Sequence, residues 1–115
     1  MDIMQFDIWL ANLPAVDGSH VIRGLHPVIV VSNDTANHCS PIITVVPLTS
    51  NLKRLSMPTH VLIRDQGLLC DSVALCEQIM PLDKNCLKRR VGYVHRTFDR
   101  YALAQGISVQ LGLVS

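Results

Sequence analysis

Apolar residues occur along the chain in short runs separated by turn-forming residues, a pattern typical of small β proteins. The sequence predicts five strands, over residues 6–13, 27–32, 42–49, 59–64 and 71–79. Pro47 lies inside the third run, where it predicts a sheet edge, a bulge or a strand end, because proline has no N–H to donate.

The second half of the chain carries two helix signals. Asp83 is expected to cap a short helix over 84–90, with cationic residues near its end. Thr97 is expected to cap a last helix, although Gly106 weakens its helix propensity. The apolar stripe of that last helix is expected to be Phe98, Tyr101, Ala102 and Val109. Short strands followed by late helices predict an α+β fold that is mostly β, built as a small antiparallel barrel or sheet.

Composition narrows the class of protein. The 115 residues are 49% hydrophobic and 17% charged, which fits one folded domain over 1–115 and excludes a disordered chain. A net charge of +1 excludes a chain-wide basic field but leaves room for a local basic groove. No apolar run approaches the roughly 20 residues that a membrane-spanning helix needs, so no membrane association is expected.

Cysteine and histidine spacing predicts neither a metal site nor a cofactor. The four cysteines, at 39, 70, 76 and 86, form no C-x-x-C pair, and no histidine cluster completes a zinc pattern. The first cationic residue is Arg23, so the N-terminus lacks the basic region of a secretory signal. Reduced thiols and a cytoplasmic location are therefore expected.

A series of short segments, in order along nearly the whole chain, carries a family resemblance. The segments are 7–14 (DIWLANLP), 18–19 (GS), 23–33 (RGLHPVIVVSN), Asn37, 47–50 (PLTS), 58–61 (PTHV), 71–73 (DSV), 77–79 (EQI), 82–84 (LDK) and 111–113 (LGL). In this order and spacing, the sequence resembles the MazF/PemK family of toxins from type II toxin–antitoxin systems.

The resemblance implies an SH3-like antiparallel β-barrel with appended short helices and a C-terminal helix, as in MazF and CcdB. It also implies a homodimer that cuts single-stranded RNA, mostly mRNA, at selected sequences without metal. The products would be a 2′,3′-cyclic phosphate and a 5′-OH. A cognate antitoxin would neutralise the toxin by occupying the RNA groove.

Two positions depart from the family pattern. Phe6 stands where relatives usually have glycine, and His26 stands where they have a catalytic arginine. An imidazole can transfer protons near neutrality but supplies less permanent positive charge than a guanidinium. Two interpretations stay open: a ribonuclease that works through His26, or an attenuated relative that binds RNA or antitoxin without turnover. A gyrase poison of the CcdB kind is a third, because fold alone does not fix activity.

The resemblance, together with polar and cationic residues in the loops beside its motifs, indicates a set of candidate site residues. The candidate catalytic residues are His26, Thr49 and Arg23. Thr49 matches the family's catalytic threonine, and Arg23 is a cation in the loop before His26. The candidate RNA-binding residues are Ser19, His20, Asn33, Asn37, Ser50, Lys53, Glu77 and Gln78. His20 and His26 are a possible acid–base pair, and Lys53 and Arg54 are candidate phosphate contacts. Each has an ordinary structural alternative, such as a strand-end threonine that caps a loop, a turn-forming asparagine or a solvated cation.

Overall fold

The computed structural model describes residues 2–52 and 54–114, which form seven strands and two α-helices. The strands are β1 (Asp7–Leu13), β2 (Gly24–Val30), β3 (Ile42–Thr49), β4 (His60–Ile63), β5 (Ser72–Leu75), β6 (Met80–Asp83) and β7 (Leu87–Tyr93). The helices are α1 (Asp34–Cys39) and α2 (Thr97–Gln110), and two single 3₁₀ turns cover Cys76–Gln78 and Lys84–Cys86. The mostly β, α+β fold with a C-terminal helix is therefore confirmed.

All strand pairs are antiparallel, and the sheet has the order β4-β5-β3-β2-β1-β7. The long strand β3 has two partners on one side, since Ile42–Val45 pair with β6 and Leu48–Thr49 pair with β5. Pro47 lies between these two sets of pairs, at the point where β3 changes partner. Pro47 is also paired with Val28 of β2 on the other side of β3. A residue without an N–H is best tolerated where a ladder is interrupted, as at this change of partner.

The central strands are buried on both faces, which explains why 28–31 (VIVV) is a continuous apolar run. Successive side chains of a strand point to opposite faces. On one face, Val28 and Val30 pack in a core cluster with Trp9, Val45 and other apolar residues. On the other face, the sheet residues Ile8, Ile29 and Val46 pack in one cluster with Leu103 of α2.

Asp7, at the start of β1, is a buried carboxylate that is only 1% exposed. Its Oδ1 lies 3.0 Å from Nε of Arg90 on β7, and its Oδ2 accepts from the N–H of Met4 at 2.9 Å. The indole Nε1 of Trp9 donates to the same Oδ2 at 3.3 Å. Asp7 therefore joins the N-terminal segment, β1 and β7 in one hydrogen-bonded cluster.

Phe6 has a φ of +73°, a left-handed conformation that favours glycine. The glycine that the resemblance implies at this position would adopt the same conformation without strain. The phenyl ring packs partly into the core beneath α2 and lies 4.6 Å, centroid to Cζ, below the guanidinium of Arg100. The packing and the cation–π contact offset the strain of the backbone.

The prediction of a helix over 84–90 was wrong, because most of this segment belongs to the edge strand β7. Asp83 does cap the segment by accepting from the N–H of Asn85, but only one 3₁₀ turn follows before the chain becomes extended. Pairing with β1 overrides the local helix signal, because the chain gains a ladder and buries Leu87. The basic run 88–90 therefore lies exposed along an edge strand and not at a helix end.

A tight turn at Gln66 and Gly67 packs against the end of β7, next to Gly92. The N–H of Tyr93 donates to the carbonyl of Gln66 at 3.2 Å. A Cβ on Gly67 would lie 2.1 Å from the Val91 carbonyl oxygen, and a Cβ on Gly92 would lie 1.9 Å from that of Gln66. Glycine at both positions lets the turn and the strand touch through their backbones.

The C-terminal helix is present, but its predicted apolar stripe was wrong at Phe98 and Tyr101, which are exposed, whereas Ala102 packs against the core as expected. Its N-cap is Arg96, with Thr97 as the first helical residue, and the side chain of Phe98 is 79% exposed. The buried residues are Asp99, Leu103 and Gly106. Asp99 turns inward because its Oδ2 accepts from the amide of buried Gln66 at 2.9 Å, which rotates the inward face away from Phe98 and Tyr101.

Gly106 marks the closest approach of α2 to the sheet. A Cβ at this position would lie 2.8 Å from Sγ of Cys76 and 3.3 Å from Cγ2 of Val61. We expect Gly106→Ala to lower the free energy of unfolding by about 1 kcal/mol, because overpacking outweighs the gain in helix propensity. Urea denaturation of Gly106→Ala alone and combined with Cys76→Ala checks this. A double variant no more stable than expected from the sum of the single changes would contradict the steric explanation.

Three further elements differ from the predictions. The strand expected over 71–79 ends at Leu75, where the 3₁₀ turn Cys76–Gln78 begins. Strand β6 and the short helix α1 were not predicted. Asn33 caps α1, since its side chain accepts from the N–H of Ala36, and this cap lies where the sequence indicated only a turn.

Candidate nucleic-acid interface

A cleft of about 430 Å³ opens at the end of β3. It lies between the β1–β2 loop, the loop after β3 and the turn Cys76–Gln78, three segments that are distant in sequence. Its lining residues are His20, Ile22, Thr49, Asn51, Arg54, His60, Leu75 and Gln78. The structure therefore brings together three of the predicted site residues, Thr49, His20 and Gln78.

Thr49 is the last residue of β3 and pairs with Val73 on β5, so its position is fixed by the ladder. Its Oγ1 accepts from the N–H of Asn51 at 3.2 Å, which is the capping role that the sequence left as the structural alternative. A hydroxyl that accepts one hydrogen bond still has its own proton to donate. Thr49 can therefore cap the loop and present a donor to the cleft.

Gln78 ties the β1–β2 loop to the far wall of the cleft. Its Oε1 accepts from the N–H of Ile22 at 2.7 Å, although 56 positions separate the two residues in the chain. The carbonyl end of the amide is used in this contact, which leaves the NH₂ end as a donor. This bond also sets the position of His20, which stands in the same loop.

Glu77 and His60 form a pair in the wall of the cleft. Oε2 of Glu77 lies 2.7 Å from Nε2 of His60, and the two side chains are 30% and 8% exposed, respectively. Among the described residues, Nδ1 of His60 and Oε1 of Glu77 have no hydrogen-bond partner although both atoms are buried. Oγ1 of the adjacent Thr59 is likewise buried and has no hydrogen-bond partner among the described residues.

Cys76, next to this pair, has a thiol of low reactivity. Burial, and secondarily the Glu77 carboxylate, raise the pKa of its thiol to about 12. The thiol therefore stays protonated at neutral pH and is a poor nucleophile, because the thiolate is the reactive form. Its role is to pack against Gly106 of α2.

His26 lies in a second, larger cavity of about 530 Å³. This cavity is also lined by Ser50, by apolar residues such as Leu25 and Leu69, and by Arg89 and Arg90 of β7. Thr49 lines one cavity and Ser50 the other, so the two hollows flank the end of β3. Arg89 and Arg90 thus line the same cavity as His26, the position at which the resemblance implies an arginine.

Four other predicted residues that the structure describes, Ser19, Arg23, Asn33 and Asn37, are not among the residues that line either cavity. Arg23 and Asn33 are exposed, and Oγ of Ser19 accepts from the N–H of Val21 within its own loop. Asn37 is buried in α1, where its amide bonds the side chain and carbonyl of Ser32, so the fold uses the group expected to contact RNA. Lys53 lies outside the described residues.

Two features are absent from the part of the chain that the structure describes. No three histidine, cysteine, aspartate or glutamate side chains there are grouped so that they could hold a metal ion. Neither described α-helix has the length and apolar character that crossing a membrane requires.

His60 is a cleft residue for which the sequence predicted no role. His60 stands in the segment 58–61 that carries part of the resemblance, but a single histidine at the start of a strand gives no sign of its partner. Only the fold brings Glu77 to it. Arg54, named beside Lys53 as a phosphate contact, does line the cleft.

The fold and the cleft together define a class: a small, curled antiparallel sheet with a C-terminal helix and a concave site of hydroxyl, amide, imidazole and guanidinium groups. Such a donor set suits a phosphodiester. The model of the PemK-like, MazF-like toxins of type II toxin–antitoxin systems matches residues 4–102. The chain belongs to this family, which confirms the resemblance that the sequence predicts.

Individual relatives agree with this assignment. The chain is 42% identical over 90 residues to the protein named endoribonuclease MazF from Staphylococcus saprophyticus, a match that covers 76% of this chain and 74% of that protein. Among solved structures, the Mycobacterium tuberculosis toxin MazF-mt6 has a TM-score of 0.77 at 23% identity, covering 95% of this chain and 99% of that one. A mycobacterial endoribonuclease in complex with its cognate antitoxin has a TM-score of 0.79 at 22% identity, covering 98% of each chain.

Proposed function

We propose that this chain is the toxin of a type II toxin–antitoxin system and an endoribonuclease that cuts single-stranded RNA, mRNA above all, without a metal ion. The observation that carries the proposal is the cleft at the end of β3, where Thr49 presents a hydroxyl among imidazole, guanidinium and amide groups. Family membership and the 42% identity to a MazF endoribonuclease support it.

The reaction needs three contributions from the protein. A base takes the proton of the 2′-OH, so that the 2′-oxygen forms a bond to phosphorus. A donor or cation stabilises the negative charge on the non-bridging oxygens, and an acid protonates the 5′-oxygen as the P–O5′ bond breaks. The products are a 2′,3′-cyclic phosphate and a 5′-OH.

Thr49 and Arg54 fill the second role in this proposal. The Thr49 hydroxyl donates to a non-bridging oxygen, and the Arg54 guanidinium supplies a permanent positive charge in the same cleft. In the neighbouring cavity His26, Arg89 and Arg90 contact a flanking phosphate, so that the strand crosses the end of β3. Imidazole groups carry the protons, since they titrate near neutrality.

In this proposal, the polar side chains around Thr49 select the RNA sequence that is cut. Gln78 offers its NH₂ group to an acceptor on a base edge, because its carbonyl oxygen is held by Ile22. Ser50 and the β1–β2 loop, including Ser19 and His20, complete the contact surface. Amide and hydroxyl groups of this kind read unpaired bases, which suits a single-stranded substrate.

We also propose that the toxin works in the cytoplasm as a homodimer and is neutralised by a cognate antitoxin. The structural relative solved with its antitoxin supports the last point. Exposed apolar residues at the larger cavity, Leu25 and the fully exposed Leu69, support burial of this surface in an assembly.

The decisive experiment is cleavage of a long, unstructured RNA by the purified chain, free of antitoxin, in excess EDTA. Cleavage at a restricted set of sequences with 2′,3′-cyclic phosphate ends is the expected result. The Thr49→Val protein, purified in the same way, controls for contaminating nucleases. Activity that disappears in EDTA and returns with Mg²⁺ or Mn²⁺ would contradict the proposal.

A further inference from the structure

The two histidines that the sequence indicated as an acid–base pair lie in different cavities. His26 lines the larger cavity with Arg89 and Arg90, whereas His20 lines the cleft with Thr49. The end of β3 lies between the two hollows, so the histidines do not face a common phosphate. A phosphate that accepts a hydrogen bond from Thr49 therefore has His20, and not His26, among the groups around it.

His20 is the accessible imidazole of this cleft. The other histidine that lines it, His60, is only 8% exposed, and its Nε2 lies 2.7 Å from Oε2 of Glu77. His20 is exposed, and its ring takes part in no hydrogen bond or ion pair with a described residue. Guanidinium and hydroxyl groups do not exchange protons near neutrality, whereas an imidazole does. His20 is therefore the group in this cleft that can meet a substrate and carry its proton.

His20 stands in a loop whose other hydrogen bonds are internal. Residues 14–23 join β1 to β2 and are mostly exposed. The N–H of Ser19 donates to the Val16 carbonyl at 3.0 Å, and Oγ of Ser19 accepts from the N–H of Val21 at 3.1 Å. These two bonds shape the loop, but they do not attach it to the rest of the protein.

The loop is attached through Ile22, two residues after His20. The N–H of Ile22 donates to Oε1 of Gln78 at 2.7 Å, and the Ile22 side chain packs against the core cluster that contains Trp9. Among the described residues, this is the one hydrogen bond that joins 14–23 to a residue outside the loop. The Gln78 oxygen has to face Ile22, because a backbone N–H can only donate.

Gln78 is a fixed anchor for this bond, because the turn that carries it is held on two sides. The N–H of Cys76 donates to the Thr59 carbonyl at 2.9 Å, and the neighbouring carboxylate of Glu77 is paired with His60. An anchor that is itself held can restrict a loop that makes few outside contacts. The bond between Gln78 and Ile22 therefore limits how far His20 can move from the cleft.

We propose that His20 carries the proton in the Thr49 cleft and that Gln78 is its positioning residue, an assignment that rests on the proposed function. The neutral imidazole of His20 takes the proton of the 2′-OH as the 2′-oxygen bonds to phosphorus. The imidazolium gives that proton to the 5′-oxygen as the P–O5′ bond breaks, so the ring ends in the state in which it began. Thr49 and Arg54 act on the non-bridging oxygens and transfer no proton.

The first test measures single-turnover cleavage of one RNA at saturating protein, with RNA affinity measured separately. We expect His20→Gln to lower the rate of the bound complex by roughly 10²-fold or more, with little change in affinity. His26→Gln, in the other cavity, should weaken affinity and leave the bound rate largely unchanged. His38→Gln is the matched control, because His38 is an exposed histidine on α1. A rate loss that follows His26→Gln and not His20→Gln would overturn the assignment.

The second test concerns Gln78→Met, which keeps the length of the side chain but removes the acceptor. In the protein without RNA, we expect hydrogen exchange of the Ile22 amide to become roughly 5- to 10-fold faster, the usual effect of losing one hydrogen bond. The bound rate of cleavage should fall by roughly 10-fold or more, because a displaced catalytic group is costly. Gln110→Met, at the exposed end of α2, is the matched control and should change neither quantity.

The double variant His20→Gln/Gln78→Met separates positioning from a general structural role. If Gln78 acts through His20, the double variant is no slower than His20→Gln alone. Rate losses that multiply, or an Ile22 amide that exchanges as in the wild type in Gln78→Met, would overturn the positioning role.

The wild type decides if Gln78→Met does not fold. Its Ile22 amide should be better protected than that of Arg23 in the same loop, for which no bond to a described residue is present, and equal protection contradicts the attachment. A wild type that cuts no RNA would overturn the proposed function itself, whereas hydrogen exchange still tests how the loop is held.

Discussion

Replacing Thr49 by valine is expected to lower the rate of RNA cleavage by about 10²–10³-fold, because one donor aimed at developing charge contributes on this scale. Valine has nearly the shape of threonine and lacks only the hydroxyl. The loss should therefore appear in the rate of the bound complex, since the ground-state contacts with RNA stay in place. Single-turnover kinetics at saturating protein measures it.

Thr35→Val provides the control for this experiment. Thr35 is exposed on α1, and its β-branched side chain undergoes the same chemical change as Thr49 does. The control should cut RNA at the wild-type rate. A Thr49→Val protein that does the same would remove Thr49 from the mechanism and reduce it to the loop cap that its bond with Asn51 already makes.

The largest effect on stability is expected at Asp7. We expect Asp7→Ala to lower the free energy of unfolding by about 3 kcal/mol, because it leaves the N–H of Met4 and the buried indole of Trp9 without their acceptor and breaks the bond with Arg90. Urea denaturation followed by tryptophan fluorescence reports it directly, since Trp9 is part of the cluster.

Asp17→Ala is the matched control, because Asp17 is exposed in the β1–β2 loop. The control should change stability by less than about 0.5 kcal/mol, the usual range for a surface position. All proteins are compared at one concentration, since assembly would make stability depend on concentration. A loss below about 1 kcal/mol for Asp7→Ala would mean that water replaces the lost carboxylate.

How far the sequence predicts the fold depends on how local the signal is. The strands rich in Val and Ile were predicted well, because a continuous apolar run between turn residues has few alternatives. The segment 84–90 was not, since its helix signals are local whereas pairing of Leu87–Tyr93 with β1 is a long-range gain. The face of α2 was missed because Asp99 is buried by a bond to Gln66, and no rule of apolar spacing places an aspartate inward.

The candidate site divides in the same way. Thr49 and Gln78 came from the resemblance, and the cleft holds both. Asn37 matched the family pattern, yet its amide is used in capping contacts within the fold. His60 and Glu77 could not be paired from sequence, because only the docking of the turn Cys76–Gln78 beside β4 brings them within 2.7 Å.

The edge of the sheet at β7 has a consequence for how safely this toxin accumulates in a cell. An uncovered edge strand can accept a strand from another molecule and so start aggregation. Here three consecutive cations, 88–90, disfavour the addition of another strand along this backbone edge, and the Gln66 carbonyl already accepts from the N–H of Tyr93. The close approach at Gly67 and Gly92 excludes any further chain from that stretch. The chain can therefore keep an open RNA surface without also offering its backbone as a template for misassembly.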